Sequence, residues 1–165
     1  VIVSLRPGRP ADLRWLTGGE SEFDEFGPRE PRIAPASSRL DGDGGLVIVV
    51  DGQDEPAGEL TWHWQRWGPN HGSRCPMIGI WLRPGHRGQT IGRAAQAMVA
   101  QMFFAHTTAN RVEAHTDVEN IAEQRALEAA GFQREGVTRG AQWRAGAYHD
   151  GILYAILRDD SRPSS

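Results

Sequence analysis

Met77-Ile78-Gly79-Ile80-Trp81-Leu82-Arg83-Pro84-Gly85-His86-Arg87-Gly88-Gln89-Thr90-Ile91-Gly92-Arg93 changes character twice along its length. Met77 to Leu82 is an apolar run of strand length, stopped by Arg83-Pro84-Gly85. A turn rich in Gly and Arg comes next and opens into a helix. In that helix Ile91, Ala94, Ala95, Met98, Val99, Met102 and Phe103 recur at 3.6 spacing and make one broad apolar face. A strand that turns directly into a long helix leaves unsatisfied N–H groups and the positive end of the helix dipole at the turn, which is an anion site. Gly88 and Gly92 let the backbone approach an anion without a side chain in the way. Arg83, Arg87 and Arg93 add positive charge. A Gly-rich turn alone is more often plain geometry. The Arg residues, the preceding strand and the position ahead of the longest helix favour a phosphate ester or diphosphate as ligand.

The elements on either side complete the pattern. Val1 to Leu5 reads as a strand ended by Arg6-Pro7-Gly8, and Pro10 to Leu16 as a short helix stopped at Gly18-Gly19. Glu20 to Phe26 fits a second short helix. Residues 27–45 are rich in Pro, Gly, Ser and Asp and form a loop rather than a linker. Leu46 to Val50 and Ala57 to Trp64 are paired strands, and Trp67 to Pro76 a loop. After the long helix come a strand at Arg111–Thr116, a helix at Ile121–Ala130, and two closing strands near Phe132–Trp143 and Ala147–Leu157. The expected fold class is α+β: a mixed, mostly antiparallel sheet of about seven strands with helices on both faces. One domain spans residues 1–158, and a polar tail, expected to fray from Arg158, closes the chain at 159–165.

Composition removes several chemistries. Among the 165 residues are 18 Arg and no Lys, so Schiff-base chemistry and a P-loop lysine are both excluded. A single cysteine, Cys75, rules out a disulfide framework or a CxxC site. The His residues at 63, 71, 86, 106, 115 and 149 form no HExxH or HxxxH pair, so no metal is expected. A net charge of −3 argues against bulk binding to nucleic acid or membrane. No signal-peptide start or membrane-length apolar run is visible, which points to the cytoplasm.

Arg87-Gly88-Gln89-Thr90-Ile91-Gly92 resembles motif A of the GCN5-related N-acetyltransferases (GNAT), whose loop reads Gln/Arg-x-x-Gly-x-Gly/Ala. Thr90 stands where the family usually has its first Gly, and its hydroxyl is suited to a phosphate or to capping the helix. Asp117 to Gly136 resembles motif B: the Asn, the helix, the Gly-Phe and the Glu-Gly fall in register. Tyr148-His149-Asp150-Gly151-Ile152-Leu153-Tyr154 is similar to the RimJ/RimL branch, which acetylates amino groups of proteins and small molecules.

The resemblance implies a GNAT fold with strands four and five splayed and acetyl-CoA as cosubstrate. Backbone groups of Ile80, Trp81 and Leu82 would hold the pantetheine arm and acetyl carbonyl. Arg87, Gly88, Gln89, Thr90, Ile91 and Gly92 would hold the pyrophosphate. Asn120 would reach the pantetheine and Arg125 a CoA phosphate. The Tyr that often donates a proton in this superfamily falls at Leu127, so it is missing. Glu123 is then a candidate acid, although Asn120 and Glu123 also match a capping box, the more probable role by the pattern alone. Glu59 is a candidate base, and His115 a candidate relay set against an ordinary structural His. Cys75 lies outside the expected thioester position. Trp62 and Trp64 share one strand face, and Trp67 is placed to line an acceptor pocket with residues 20–40, against a plain packing role. The leading expectation is direct acetyl transfer to a primary amine of a small molecule in a ternary complex, by a monomer or homodimer. N-terminal acetylation of a protein and a non-catalytic acyl-CoA-binding domain are the alternatives.

Overall fold

The computed structural model describes residues 1–160. The strands are β1 (Val3–Arg6), β2 (Gly44–Val50), β3 (Gly58–Arg66), β4 (Arg74–Leu82), β5 (Arg111–Asp117), β6 (Gln133–Arg144) and β7 (Ala147–Leu157), and the helices are α1 (Ile91–His106) and α2 (Ile121–Ala129). They form one sheet in the order β1-β2-β3-β4-β5-β7-β6. Every neighbouring pair is antiparallel except β4 and β5, which the α1 crossover makes parallel. This is the mixed seven-stranded sheet expected. No helix among the described residues is long and apolar enough to cross a membrane.

Strand alternation sorts the sheet into two faces. Leu46, Ile48, Leu60, Trp62, Ile78, Val112, Ala114, Ile152, Tyr154 and Ile156 point to one side. There they pack with Ile91, Ala95, Val99 and Phe103 of α1 and Leu127 of α2. The rings of Trp62 and Trp64 both meet Phe103 edge-on, at centroid distances of 5.2 and 5.8 Å. Both α-helices therefore lie on one face, not on both as the sequence suggested, because the β4–β5 and β5–β6 crossovers fall on the same side. The other face carries Arg6, Glu59, His63, Met77, Glu113, His115 and Asp117, and is partly covered by the first part of the irregular segment 7–43, whose last residues, Leu40 and Gly42, bond the indoles of Trp64 and Trp62 on the helix side. That segment holds only 3-10 turns, at Pro10–Asp12 and Glu22–Asp24, where the sequence suggested short helices. Bonds of 3-10 type carry the first on as far as Leu16, and Gly18 and Gly19 at positive φ follow it.

Two other boundaries moved. Residues 74–76, expected as loop, extend β4 because Arg66 pairs with Arg74 and lengthens the β3–β4 hairpin. Arg158, expected to fray, is pinned instead: its guanidinium donates to the carbonyls of Phe104, Thr107 and Ala109 at 2.6–3.1 Å and so caps the C-terminus of α1. The rest of the expected tail beyond residue 160 lies outside the described residues.

Candidate active site

β4 and β5 pair only at Met77 with Glu113 and at Ile78 with Ala114. Beyond that point β4 stays bonded to β3 as far as Leu82, and β5 to β7 as far as Asp117. The two strands part, and a wedge opens between residues 79–82 and 115–117. Arg83 N–H donates to the Ala57 carbonyl at 2.9 Å, so residues 81 and 83 turn their backbone groups toward β3. Alternation then turns Ile80 and Leu82 into the wedge. The Leu82 carbonyl there already accepts from Arg87 Nε at 2.9 Å. The N–H and C=O of Ile80 and the N–H of Leu82 remain for a ligand. Trp81, grouped with them in the sequence reading, has its backbone committed to β3 and its indole N–H to the Gly19 carbonyl.

The wedge runs toward the turn before α1. Among the described residues, the N–H groups of Gly88, Gln89, Thr90, Ile91, Gly92 and Arg93 have no acceptor, whereas Ala94 N–H closes the first helical turn on the Thr90 carbonyl at 3.0 Å. Gly88 (φ 71°) and Thr90 (φ 60°) are both left-handed. That conformation explains why the family favours Gly where this chain has Thr90. Thr90 is the N-cap by position, but its side chain makes no capping bond. A Cβ at Gly88 meets nothing, and one at Gly92 meets Ile80 and Leu82 Cδ1 at 3.7 Å.

The arginines divide into two groups. Arg87 secures the turn by bonding Leu82 and the Glu20 carbonyl. Arg83 bonds the Pro56 carbonyl and Glu55, and lies 4.4 Å over the Trp15 ring. Neither is a free cation for a phosphate, contrary to the simplest sequence expectation. Arg93 and Arg125 are exposed and form no ion pair among the described residues.

At the start of α2, Asn120 Oδ1 accepts the Glu123 N–H at 3.3 Å. The return arm of a capping box is missing, because the Glu123 carboxylate turns to α1 and accepts from Gln96 Nε2. Gln96 is 1% exposed, and its Oε1 has no partner. Burial pushes the Glu123 carboxyl up to about 7, against the smaller opposing effect of the Gln96 N–H. Leu127, at the position of the family tyrosine, is sealed in the core. The Asn120 side-chain NH2 makes no hydrogen bond among the described residues, while its Oδ1 is held by the cap.

On the opposite face Glu59 stands across from Trp81. Both its oxygens are held by Arg32 at 2.9–3.0 Å. His115, the proposed relay, is fully engaged: Gln142 Nε2 lies 3.4 Å from Nδ1 and Thr138 Oγ1 2.6 Å from Nε2. Its ring packs so closely on Gly151 that any Cβ there would collide with it. Burial lowers its pKa, outweighing the opposing effect of Asp117. Both ring nitrogens are thus occupied by side chains of β6. Trp67, for which packing is favoured over lining an acceptor pocket, has its indole N–H bonded to the buried Glu113 at the end of the β3–β4 hairpin. Cys75 is beside it, and burial together with Glu113 raises its thiol to about 12.

Four participants are not singled out by the sequence: Arg32, Gln96, Asp117 and Arg144. Arg32 sits in a stretch with no periodicity. Gln96 lies among the apolar positions of α1, a buried-face polar residue that was a readable signal. Asp117 and Arg144 form a buried ion pair whose partners are 27 residues apart. Arg144 also donates to the Glu22 carbonyl at 2.6 Å, and Ala145 N–H to the Glu25 carbonyl at 3.0 Å, fastening the 22–25 turn to the β6–β7 hairpin.

A parallel strand pair that splays into a wedge, ending at a helix whose first N–H groups are bare, defines a protein of the acetyltransferase (GNAT) class. The chain belongs to that family: its residues 3–133 match the family model described as acetyltransferase (GNAT) domain. Probable N-acetyltransferase YjcK of Bacillus subtilis (strain 168) is 34% identical over 84 residues, 51% of this chain and 46% of that protein. The aligned part is thus about half the length of this curated relative. Among solved structures, Mycobacterium smegmatis RimJ in complex with CoA-disulfide superposes with a TM-score of 0.80 at 23% identity, covering 98% of this chain and 85% of that one. Spermidine N-acetyltransferase from Vibrio cholerae, in complex with CoA and spermine, gives 0.74 at 20% identity, covering 96% of each chain. These likenesses confirm the GNAT fold.

Proposed function

We propose that the chain is an acetyl-CoA-dependent N-acetyltransferase that acetylates a primary amine of a small molecule within a ternary complex. The observation that carries this is the junction of the β4–β5 wedge with the bare N–H groups of residues 88–93. An amide-bearing arm satisfies the unpaired backbone groups of Ile80 and Leu82. A diphosphate suits the N–H cradle and the dipole of α1. Asn120 offers its side-chain NH2 to the arm, and Arg93 and Arg125 are the cations left for outer phosphates.

Acetyl-CoA, when bound, supplies an acetyl group activated as a thioester. Within the wedge the Ile80 N–H is the donor available for a carbonyl oxygen, as an oxyanion stabiliser requires. Glu123, held near neutrality by burial, is the carboxyl suited to keep and deliver a proton. Glu59 is the acidic group on the acceptor side. Arg32 must leave before it can meet an acceptor.

Purified protein incubated with acetyl-CoA and a panel of amines, following free thiol, tests the reading. Thiol release that depends on a small amine supports it. Release only with peptide N-termini supports the protein-acetylating alternative, which the RimJ-like fold also suits. Tight CoA binding without turnover on either panel overturns it in favour of a binding domain.

A further inference from the structure

Residues 28–36 cross the acceptor face without helix or strand, and Pro28 to Ala34 are all exposed. Among the described residues no backbone hydrogen bond involves any residue from 28 to 36. The segment is tied down by side chains. Arg29 reaches the Asp24 carbonyl at 2.8 Å within the same irregular region. Among the described residues Arg32 alone joins it to the sheet by an ion pair, spanning both oxygens of Glu59. The Glu59 side chain keeps 15% of its exposure and that of Arg32 36%, so the pair stands at the surface and is open to exchange. An ion pair of this exposure is worth at most about 1 kcal/mol, within reach of a competing cation.

The fit is informative. A bidentate fork is the geometry of a guanidinium on a carboxylate. Glu59 projects from β3, opposite Trp81 of the wedge strand β4, on the face away from both α-helices. The other acidic side chains of β5 on this face are spoken for: Glu113 by Trp67 and Arg111, Asp117 by Arg144. We propose that Glu59 is the cation anchor of the acceptor site and that Arg32 is its internal occupant. The acceptor then carries a guanidinium or ammonium at the end remote from the amine that is acetylated. The amine that attacks must be neutral, so it is not the group ion-paired to Glu59, and a second, permanently charged group is required. Arg32 acts as a built-in competitor that keeps simple monoamines from profiting from Glu59.

This rests on the acetyltransferase reading and is tested apart from it. Agmatine and butylamine are compared as acceptors for wild type, Arg32→Ala and Glu59→Gln, with calorimetric binding of agmatine and of acetyl-CoA to each. Arg32→Ala is expected to lower KM for agmatine about tenfold and to raise the agmatine-to-butylamine ratio of kcat/KM by as much. Glu59→Gln is expected to bring that ratio close to one, and agmatine to bind Arg32→Ala tighter than wild type without acetyl-CoA present. Two results overturn the proposal: an agmatine affinity and ratio unmoved by Arg32→Ala, or a Glu59→Gln variant that loses kcat equally on both amines at unchanged KM, which would make Glu59 a base. Failure of wild type to bind acetyl-CoA overturns the parent reading instead, and the agmatine calorimetry still decides the anchor.

Discussion

The guanidinium of Arg144 is ion-paired with the carboxylate of Asp117, and both side chains are nearly sealed from solvent, at 4% and 3% exposure. The pair joins the end of β5 to the β6–β7 hairpin, and a second Arg144 N–H carries the link to the 22–25 turn. Arg144→Met leaves a buried carboxylate without its cation and is expected to cost about 3–5 kcal/mol. Asp117→Asn combined with Arg144→Met should recover much of that loss, because the uncompensated charge is gone. Urea unfolding of the single and double variants measures both, and an Arg144→Met loss below about 1 kcal/mol would show that the pair does not hold the hairpin.

Thr90 holds a left-handed conformation at φ 60°, which is strained for a β-branched residue. Its side chain makes no capping bond that glycine would forfeit. Thr90→Gly is therefore expected to stabilise the protein by about 1 kcal/mol and to tighten CoA binding. A thermal melt and a CoA titration check the two halves. A destabilised glycine variant would mean that the hydroxyl or methyl has a partner that outweighs the strain.

Glu123 titrates with folding. Its carboxyl is raised from 4.5 to about 7 in the folded chain. As pH rises through this window the unfolded chain loses its proton first and then binds fewer protons than the folded one. Stability attributable to this group therefore falls from pH 4.5 to 7, by no more than about 3 kcal/mol. Glu123→Gln should remove the slope and be the more stable protein above pH 7. If Glu123 is the acid of the reaction, the wild-type rate declines above about pH 7 and the variant shows no such limb. Unfolding free energies and pH–rate profiles of both proteins provide the comparison.

The two glycines of the turn differ in what they tolerate. At Gly92 a methyl group finds ordinary contact with Ile80 and Leu82, so Gly92→Ala should retain CoA binding while Gly92→Phe should lose it. Gly88 sits at positive φ in open space, so its limit is the backbone and not room. Gly88→Val is expected to weaken CoA binding by about tenfold, near 1.4 kcal/mol, as the N–H groups turn away. Equal affinity in Gly88→Val would show that the cradle does not contact the ligand.

Much of this architecture was legible because it is written in short-range patterns. The strand–turn–helix from Met77 to Phe103 announces itself by periodicity and glycine placement, and the β4–β5 crossover follows from it. Three contacts were not legible: two join residues 27 positions apart, and the third is a short-range bond that composition alone does not reveal. Arg32 lies in a proline-rich loop, yet it reaches Glu59, 27 residues on. Arg87 looked like a phosphate ligand by composition, but the Leu82 carbonyl five residues earlier claims it. Asn120 and Glu123 fit a capping box by spacing. Only the depth of Gln96 shows that the carboxylate turns the other way.

The cradle at residues 88–93 is built of peptide groups, and no codon specifies a peptide group. Side chains here serve to hold the turn, as Arg87 does through Leu82 and Glu20, while the N–H groups offered to an anion depend on the left-handed steps at Gly88 and Thr90. In the proposed complex the share of recognition that falls to this cradle thus rests on two dihedral angles, and the side chains of Asn120, Arg93 and Arg125 add to it.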